Sequence, residues 1–210
     1  MNLVLSVTVI AISAFFAIYS KYKGHKVIFY AFKPLTMVLV VSLAWERTTA
    51  SPSVYSYLVL SGLCLSLLGD IFIMLPGTKF FKPGLMSFLA AYILYILAFS
   101  RNIRIVSYLP VFIILAVGAV VYLYLYSRLD KTRIPVLIYV FVVSLVGWLA
   151  INRHLWFLDQ MSLLVMIGGI LLVFSEMIWG INKFRKQFWL AEILILGTYF
   201  PAQLLFALSV

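Results

Sequence analysis

Apolar residues run along this chain in long stretches, interrupted only by short clusters of charge, Pro or Gly. Eight stretches stand out: Leu3–Tyr19, Val27–Trp45, Val54–Leu75, Phe80–Phe99, Val106–Tyr126, Ile134–Ile151, Met161–Ile181 and Phe188–Leu208. A helix crosses the hydrocarbon core of a bilayer with about 20 residues, a length the first and sixth only just reach. No water satisfies backbone amides at that depth, so each stretch is predicted to be helical. The expected architecture is an all-α polytopic membrane helix bundle of eight transmembrane helices, one transmembrane domain over residues 1–210. Loops this short do not fold alone, which places any function among the helices.

The charges orient the bundle. The odd-numbered loops hold eleven Lys and Arg: Lys21, Lys23, Lys26, Lys79, Lys82, Arg128, Lys131, Arg133, Lys183, Arg185 and Lys186. The even-numbered loops hold four: Arg47, Arg101, Arg104 and Arg153. The positive-inside rule then puts the odd loops in the cytoplasm and both termini outside. Trp45, Trp148, Trp156, Trp179 and Trp189 fall near the ends of the predicted spans, where an interfacial belt would have them.

Composition agrees. Of 210 residues, 65% are apolar and 10% charged. A soluble domain is about half apolar and a quarter charged. A soluble enzyme, a disordered chain and a nucleic-acid module are thereby excluded. The net charge of +10 lies in the loops, where it meets anionic lipid headgroups rather than nucleic acid. Cys64 is the single cysteine, so no internal disulfide forms, and its apolar surroundings mark it as a packing residue. Lysines follow the first apolar stretch and none precedes it, the reverse of a signal peptide, so that stretch is read as a retained helix. Gly62, Ser66 and Gly69 mark a close-packing stripe on the third span, and Gly168 and Gly169 one on the seventh.

Four ionisable residues interrupt the apolar spans: Lys33, Asp70, Glu176 and Glu192. A charge at the membrane centre costs about 2.5–3.5 kcal/mol on insertion scales, so such groups face an interior and a partner. The predicted topology sets Asp70 and Glu176 about two turns before the cytoplasmic ends of their spans. Lys33 and Glu192 enter from the same side at similar or shallower depth, so four helices contribute to one layer. Glu192 also fits a helix-capping or snorkelling role, and Lys33, just before Pro34, a reach back to the interface. His25 and His154 are read as ordinary loop residues. No His or Cys pair has metal-ligand spacing, no Gly-x-Ser-x-Gly elbow occurs, and Gly-rich phosphate loops are absent. Neither metal nor cofactor is expected. Two carboxylates in a poorly hydrated pocket suit acid–base work on a reaction passing through an oxocarbenium-like cation.

At these residues the chain resembles the YhhN family. The likeness rests on Lys33-Pro34-Leu35-Thr36, on Tyr57 to Leu63 followed by Ser66-Leu67-Leu68-Gly69-Asp70, and on Ile181-Asn182-Lys183-Phe184. It continues in Thr198-Tyr199-Phe200-Pro201-Ala202-Gln203, similar to that family's closing Tyr-x-x-x-Gln pattern. Characterised members are lysoplasmalogenases, integral membrane hydrolases that cleave the vinyl ether of lysoplasmalogens to a fatty aldehyde and a glycerophospho-base. The resemblance implies that activity, a lysophospholipid substrate, and catalytic roles for Asp70 and Glu176. Lys33, Tyr92, Glu192, Tyr199 and Gln203 are then candidates to bind substrate. The chain departs from the family pattern twice. Glu176 follows Ser175 where many members have Asp, and Tyr92 stands in the fourth span where many have His.

Two further expectations belong here. An acid followed by Lys-Phe recurs in the third and seventh segments (Asp70 to Lys79-Phe80, Glu176 to Lys183-Phe184), which hints at two parallel four-helix repeats. The rival to a hydrolase is a lipid or small-molecule transporter using the same buried charges as a substrate or proton pathway. Short loops and tails favour a bacterial inner membrane.

Overall fold

The computed structural model describes residues 2–210, the side chains of Thr78 and Lys131 excepted. Its long elements are eight helices: α1 Leu3–Lys23, α2 Lys26–Ala50, α3 Val54–Met74, α4 Phe81–Phe99, α5 Leu109–Tyr126, α6 Arg133–Phe157, α7 Gln160–Phe184 and α8 Ala191–Leu208. All eight are long and apolar enough to cross a membrane.

Local chemistry sets the ends. Ser53 and Ser56 cap α3 reciprocally, and Asp159 and Ser162 do the same for α7. Gly24 ends α1 in the left-handed region at φ 76°, where it costs a glycine little, and donates back to Lys21. Several boundaries differ from the apolar runs: α1 continues four residues past Tyr19, α2 five past Trp45 and α7 three past Ile181, and three more shape the packing. α5 begins at Leu109 rather than Val106, with Pro110 in its first turn. The backbone before it is tied to α6 instead: Ser107 N–H donates to Asn152 Oδ1 at 2.6 Å, while Asn152 Nδ2 and Trp148 Nε1 both donate to Ser107 O. α6 runs on to Phe157, so Arg153 and His154 lie within its last turns rather than in a loop. That extension also leaves Trp148 nine residues short of the helix end, holding a strap rather than marking a terminus. α8 starts at Ala191, so Trp189 precedes it.

Burial is inverted relative to a water-soluble bundle. On α5, Phe112, Val120 and Leu123 are each more than 65% exposed. Ser13, Thr36, Ser66, Asp70, Asn152 and Gln203 are buried instead. Apolar surface turned outward and polar groups turned inward suit hydrocarbon as the solvent.

The chain divides into two compact units. The first holds the residues up to Ala98 together with Phe206–Leu208 and Val210, and the second holds Phe99–Leu205 with Ser209. In the first unit, α1 lays Ser6, Ile10, Ser13, Ala17 and Ser20 inward at alternating spacings of four and three, and Ser13 bonds Thr36 of α2 at 2.8 Å. On α3 the small residues serve as sockets for rings more than as a backbone seam. A Cβ on Gly62 would strike the Tyr95 ring, and one on Gly69 would come within 2.8 Å of Phe88. In the second unit small residues do bring backbones together. A Cβ on Gly169 would lie 2.5 Å from that of Ala150 and 3.8 Å from the Cα of Gly147, which draws α6 against α7.

The units repeat one pattern at an offset of 106 positions. Leu3 and Leu109 open α1 and α5, and Val54 and Gln160 open α3 and α7. The capping pair Ser53 and Ser56 corresponds to Asp159 and Ser162, and buried Gly62 to buried Gly168. Near the end of the second helix of each unit, Arg47 donates to the carbonyls of Leu208 and Val210, and Arg153 to that of Arg101.

Candidate functional site

Each unit carries one acid near the end of its third helix, Asp70 buried and Glu176 half-buried, and each acid meets a donor from the second. In the first unit, Lys33 lies on α2 seven residues from its start, and Asp70 on α3 four residues from its end. Their groups meet at 2.9 Å, with Asp70 2% exposed and Lys33 9%. An ion pair removed from water holds only because each charge answers the other. Lys33 also stands over the Phe29 ring at 6.0 Å. Beside them Ser66, one turn before Asp70, reaches Tyr95 at 3.4 Å, and Tyr92 sits fully buried between Phe88 and Tyr95.

In the second unit, Glu176 lies on α7 eight residues, about two turns, from its end. Asp70 stands only about one turn from the end of α3, closer than the apolar run suggested, because α3 stops at Met74. Tyr139 of α6 donates its hydroxyl to Glu176 Oε2 at 2.8 Å, and its ring lies 6.2 Å from that of Trp179. The neighbouring Ser175 hydroxyl donates to Ile195 O at 2.9 Å, which ties α7 to α8 beside the packed trio Ile178, Ala191 and Ile195. Glu192 falls in the first turn of α8, where a negative charge is favoured by the helix dipole. Tyr199 and Gln203 are buried further along the same helix.

The structure thus joins Lys33 to Asp70, two of the four ionisable residues expected in one layer, and adds Tyr139, which sequence reasoning passed over. A tyrosine in an apolar run reads as a packing aromatic. The available signal was that a phenol buried in hydrocarbon needs a partner. Among the described residues no group of three or more His, Cys, Asp or Glu is placed to hold a metal ion. What the two pairs offer is acid–base and ionic chemistry: a carboxylate locked to an ammonium, and a carboxyl that accepts a tyrosine hydroxyl.

The YhhN family model matches residues 28–210, a span that includes both pairs. The chain belongs to the YhhN family. It is 29% identical over 203 residues to "Uncharacterized membrane protein YhhN" of Escherichia coli O157:H7 and of Shigella flexneri, with 95% of each chain covered. It is also 26% identical over 154 residues to "Lysoplasmalogenase TMEM86A" of Bos taurus, which covers 70% of this chain and 62% of that protein. No solved structure matches. This YhhN-family chain is an integral membrane protein, and it is distantly related to a lysoplasmalogenase.

Proposed function

We propose that the protein is a lysoplasmalogenase-like hydrolase that cleaves the vinyl ether of a lysoplasmalogen or related ether lysolipid to a fatty aldehyde and a glycerophospho-base. What carries the reading is the likeness to a protein named lysoplasmalogenase across 70% of the chain. The two acids, Asp70 buried and Glu176 half-buried, supply chemistry that fits it. We place the protein in an inner (plasma) membrane with both termini outside, and the acids on the cytoplasmic side.

Vinyl ether hydrolysis begins when a proton passes to the alkenyl β-carbon, leaving an oxocarbenium ion. Water adds at the α-carbon and gives up a proton, and the resulting hemiacetal collapses to aldehyde and alcohol. The reaction needs a proton donor and an anion to steady the cation. Asp70, fixed against Lys33 at 2.9 Å, suits the anion. Glu176, held by a neutral hydroxyl at 2.8 Å, suits the donor. Lys33, Tyr92, Glu192, Tyr199 and Gln203 serve substrate binding in this reading. No step calls for a cofactor.

The test is aldehyde release from a vinyl-ether lysophospholipid by the purified protein in detergent, beside Asp70→Asn, Glu176→Gln and the double variant. Turnover in the wild type that each substitution lowers about 10²- to 10⁴-fold supports the reading. A double variant no worse than the weaker single shows that both acids serve one step. No turnover on vinyl-ether, alkyl-ether or acyl lysolipids sinks the hydrolase and moves the transporter reading first.

A further inference from the structure

The offset of 106 positions that relates the two units also relates their polar pairs. Lys33 corresponds to Tyr139 and Asp70 to Glu176, so both pairs span 37 positions of chain. The same station on the second helix of each unit offers a donor to the same station on the third. An ammonium fills it once and a phenol the other time. A packing accident would not be expected to recur in register at both members of the pair.

We propose that Tyr139 is a positioning residue for Glu176: its hydroxyl donates to Oε2 and so fixes the aim of the carboxyl that carries the moving proton. The proposal rests on the hydrolase reading for its catalytic part alone, since the bond itself belongs to the fold. When Glu176 is protonated, the phenol O–H goes on donating to the neutral carboxyl. As the acid proton passes to the alkenyl β-carbon, the C=C π pair forms the new C–H bond and negative charge spreads onto Oε2. The Tyr139 hydrogen bond then tightens, because a hydrogen bond to a charged acceptor is stronger than one to a neutral acceptor. A donor aimed where charge develops lowers the barrier without any move of its own. Tyr139 is 7% exposed and packs its ring near Trp179, so the hydroxyl keeps its aim.

Two readouts on the full-length protein in detergent test this, with Tyr139→Phe, Glu176→Gln and, as a matched loss of one phenol, Tyr122→Phe. Tyr122 lies outside the candidate site, its hydroxyl 3.4 Å from Arg133 O. The first readout is infrared. The carboxyl band that vanishes in Glu176→Gln is expected to shift in Tyr139→Phe and to stay in place in Tyr122→Phe. The second is turnover. Tyr139→Phe is expected to lower kcat about 10- to 100-fold with KM within about twofold, and to add nothing in the Glu176→Gln background. A tyrosine that does not bond Glu176 would leave the band unmoved, and an unmoved band overturns the proposal even if activity falls. Wild-type kcat in Tyr139→Phe overturns it as well. If the wild type itself releases no aldehyde, the hydrolase reading fails, while the infrared arm still decides whether Tyr139 holds Glu176.

Discussion

Lys33 of α2 and Asp70 of α3 form a buried ion pair at 2.9 Å, the two charges supplying each other's counter-ion away from water. Removing one partner leaves an uncompensated charge, which in buried pairs costs about 3–5 kcal/mol. Lys33→Met and Asp70→Leu are each expected to lower the thermal midpoint in detergent strongly. The double variant should recover most of that loss, because neither charge remains. Purely additive losses would show that the pair is not coupled.

Tyr139→Lys would install in the second unit the donor that the first unit uses. The repeat register predicts that the side chain reaches Glu176, so the protein should fold and keep its thermal midpoint within a few degrees. Glu176 would then be locked as an ion like Asp70, and aldehyde release should fall at least about 100-fold on the scale of lost general-acid catalysis. Retained turnover would remove Glu176 from the role of proton donor.

Asp159 opens α7 outside the membrane span. The Ser162 hydroxyl and then its backbone N–H hold the Asp159 carboxyl below the usual carboxylate range. A group lowered on folding stabilises above its unfolded value, about 3.9, and loses that contribution as pH falls through the folded value. Asp159→Ala should cost about 1 kcal/mol at neutral pH, the ordinary price of an N-cap. Asp159→Asn keeps a capping oxygen without the charge. Its midpoint should lie below the wild type at pH 7 and converge with it only as pH falls through the lowered folded value, where the aspartate cap becomes neutral as well.

Asn152, 1% exposed, grips both the N–H and the carbonyl of Ser107. Asn152→Leu leaves that amide without its partner, a loss of about 1 kcal/mol or more. Hydrogen exchange at Ser107 should speed about tenfold while mid-helix amides of α6 keep their protection. Unchanged exchange would mean that other contacts hold the segment.

The eight helices were legible because hydrocarbon allows a spanning segment one way to satisfy its backbone, so a long apolar run has a single meaning. Their ends were less so. Arg153 and His154 read as loop by charge, yet long polar side chains at a helix end reach water without unwinding the last turns. Val106 read as span, but Pro110 and the Asn152 clasp delay the start of α5. Lys33 and Asp70 stood out as charges in one predicted layer, each costly alone, while their pairing with each other came from the structure. Tyr139 carries no charge and so raised no such alarm. Its role needed the register of α6 against α7, which Gly147, Ala150 and Gly169 set through close approach. The glycines of α3 looked the same on paper, and there they make room for Tyr95 and Phe88.

The exchange of lysine for tyrosine between the repeats also settles where charge balance is adjustable. The first pair holds a cation and an anion, so a proton added to it or taken from it strands a bare ion in the membrane, which is costly. The second pair meets its carboxylate with a phenol, so one proton on Glu176 leaves both of its members neutral. Two units in one register thus carry one salt-like pair as a fixed fitting and, in the hydrolase reading, one seat that a single proton fills and leaves.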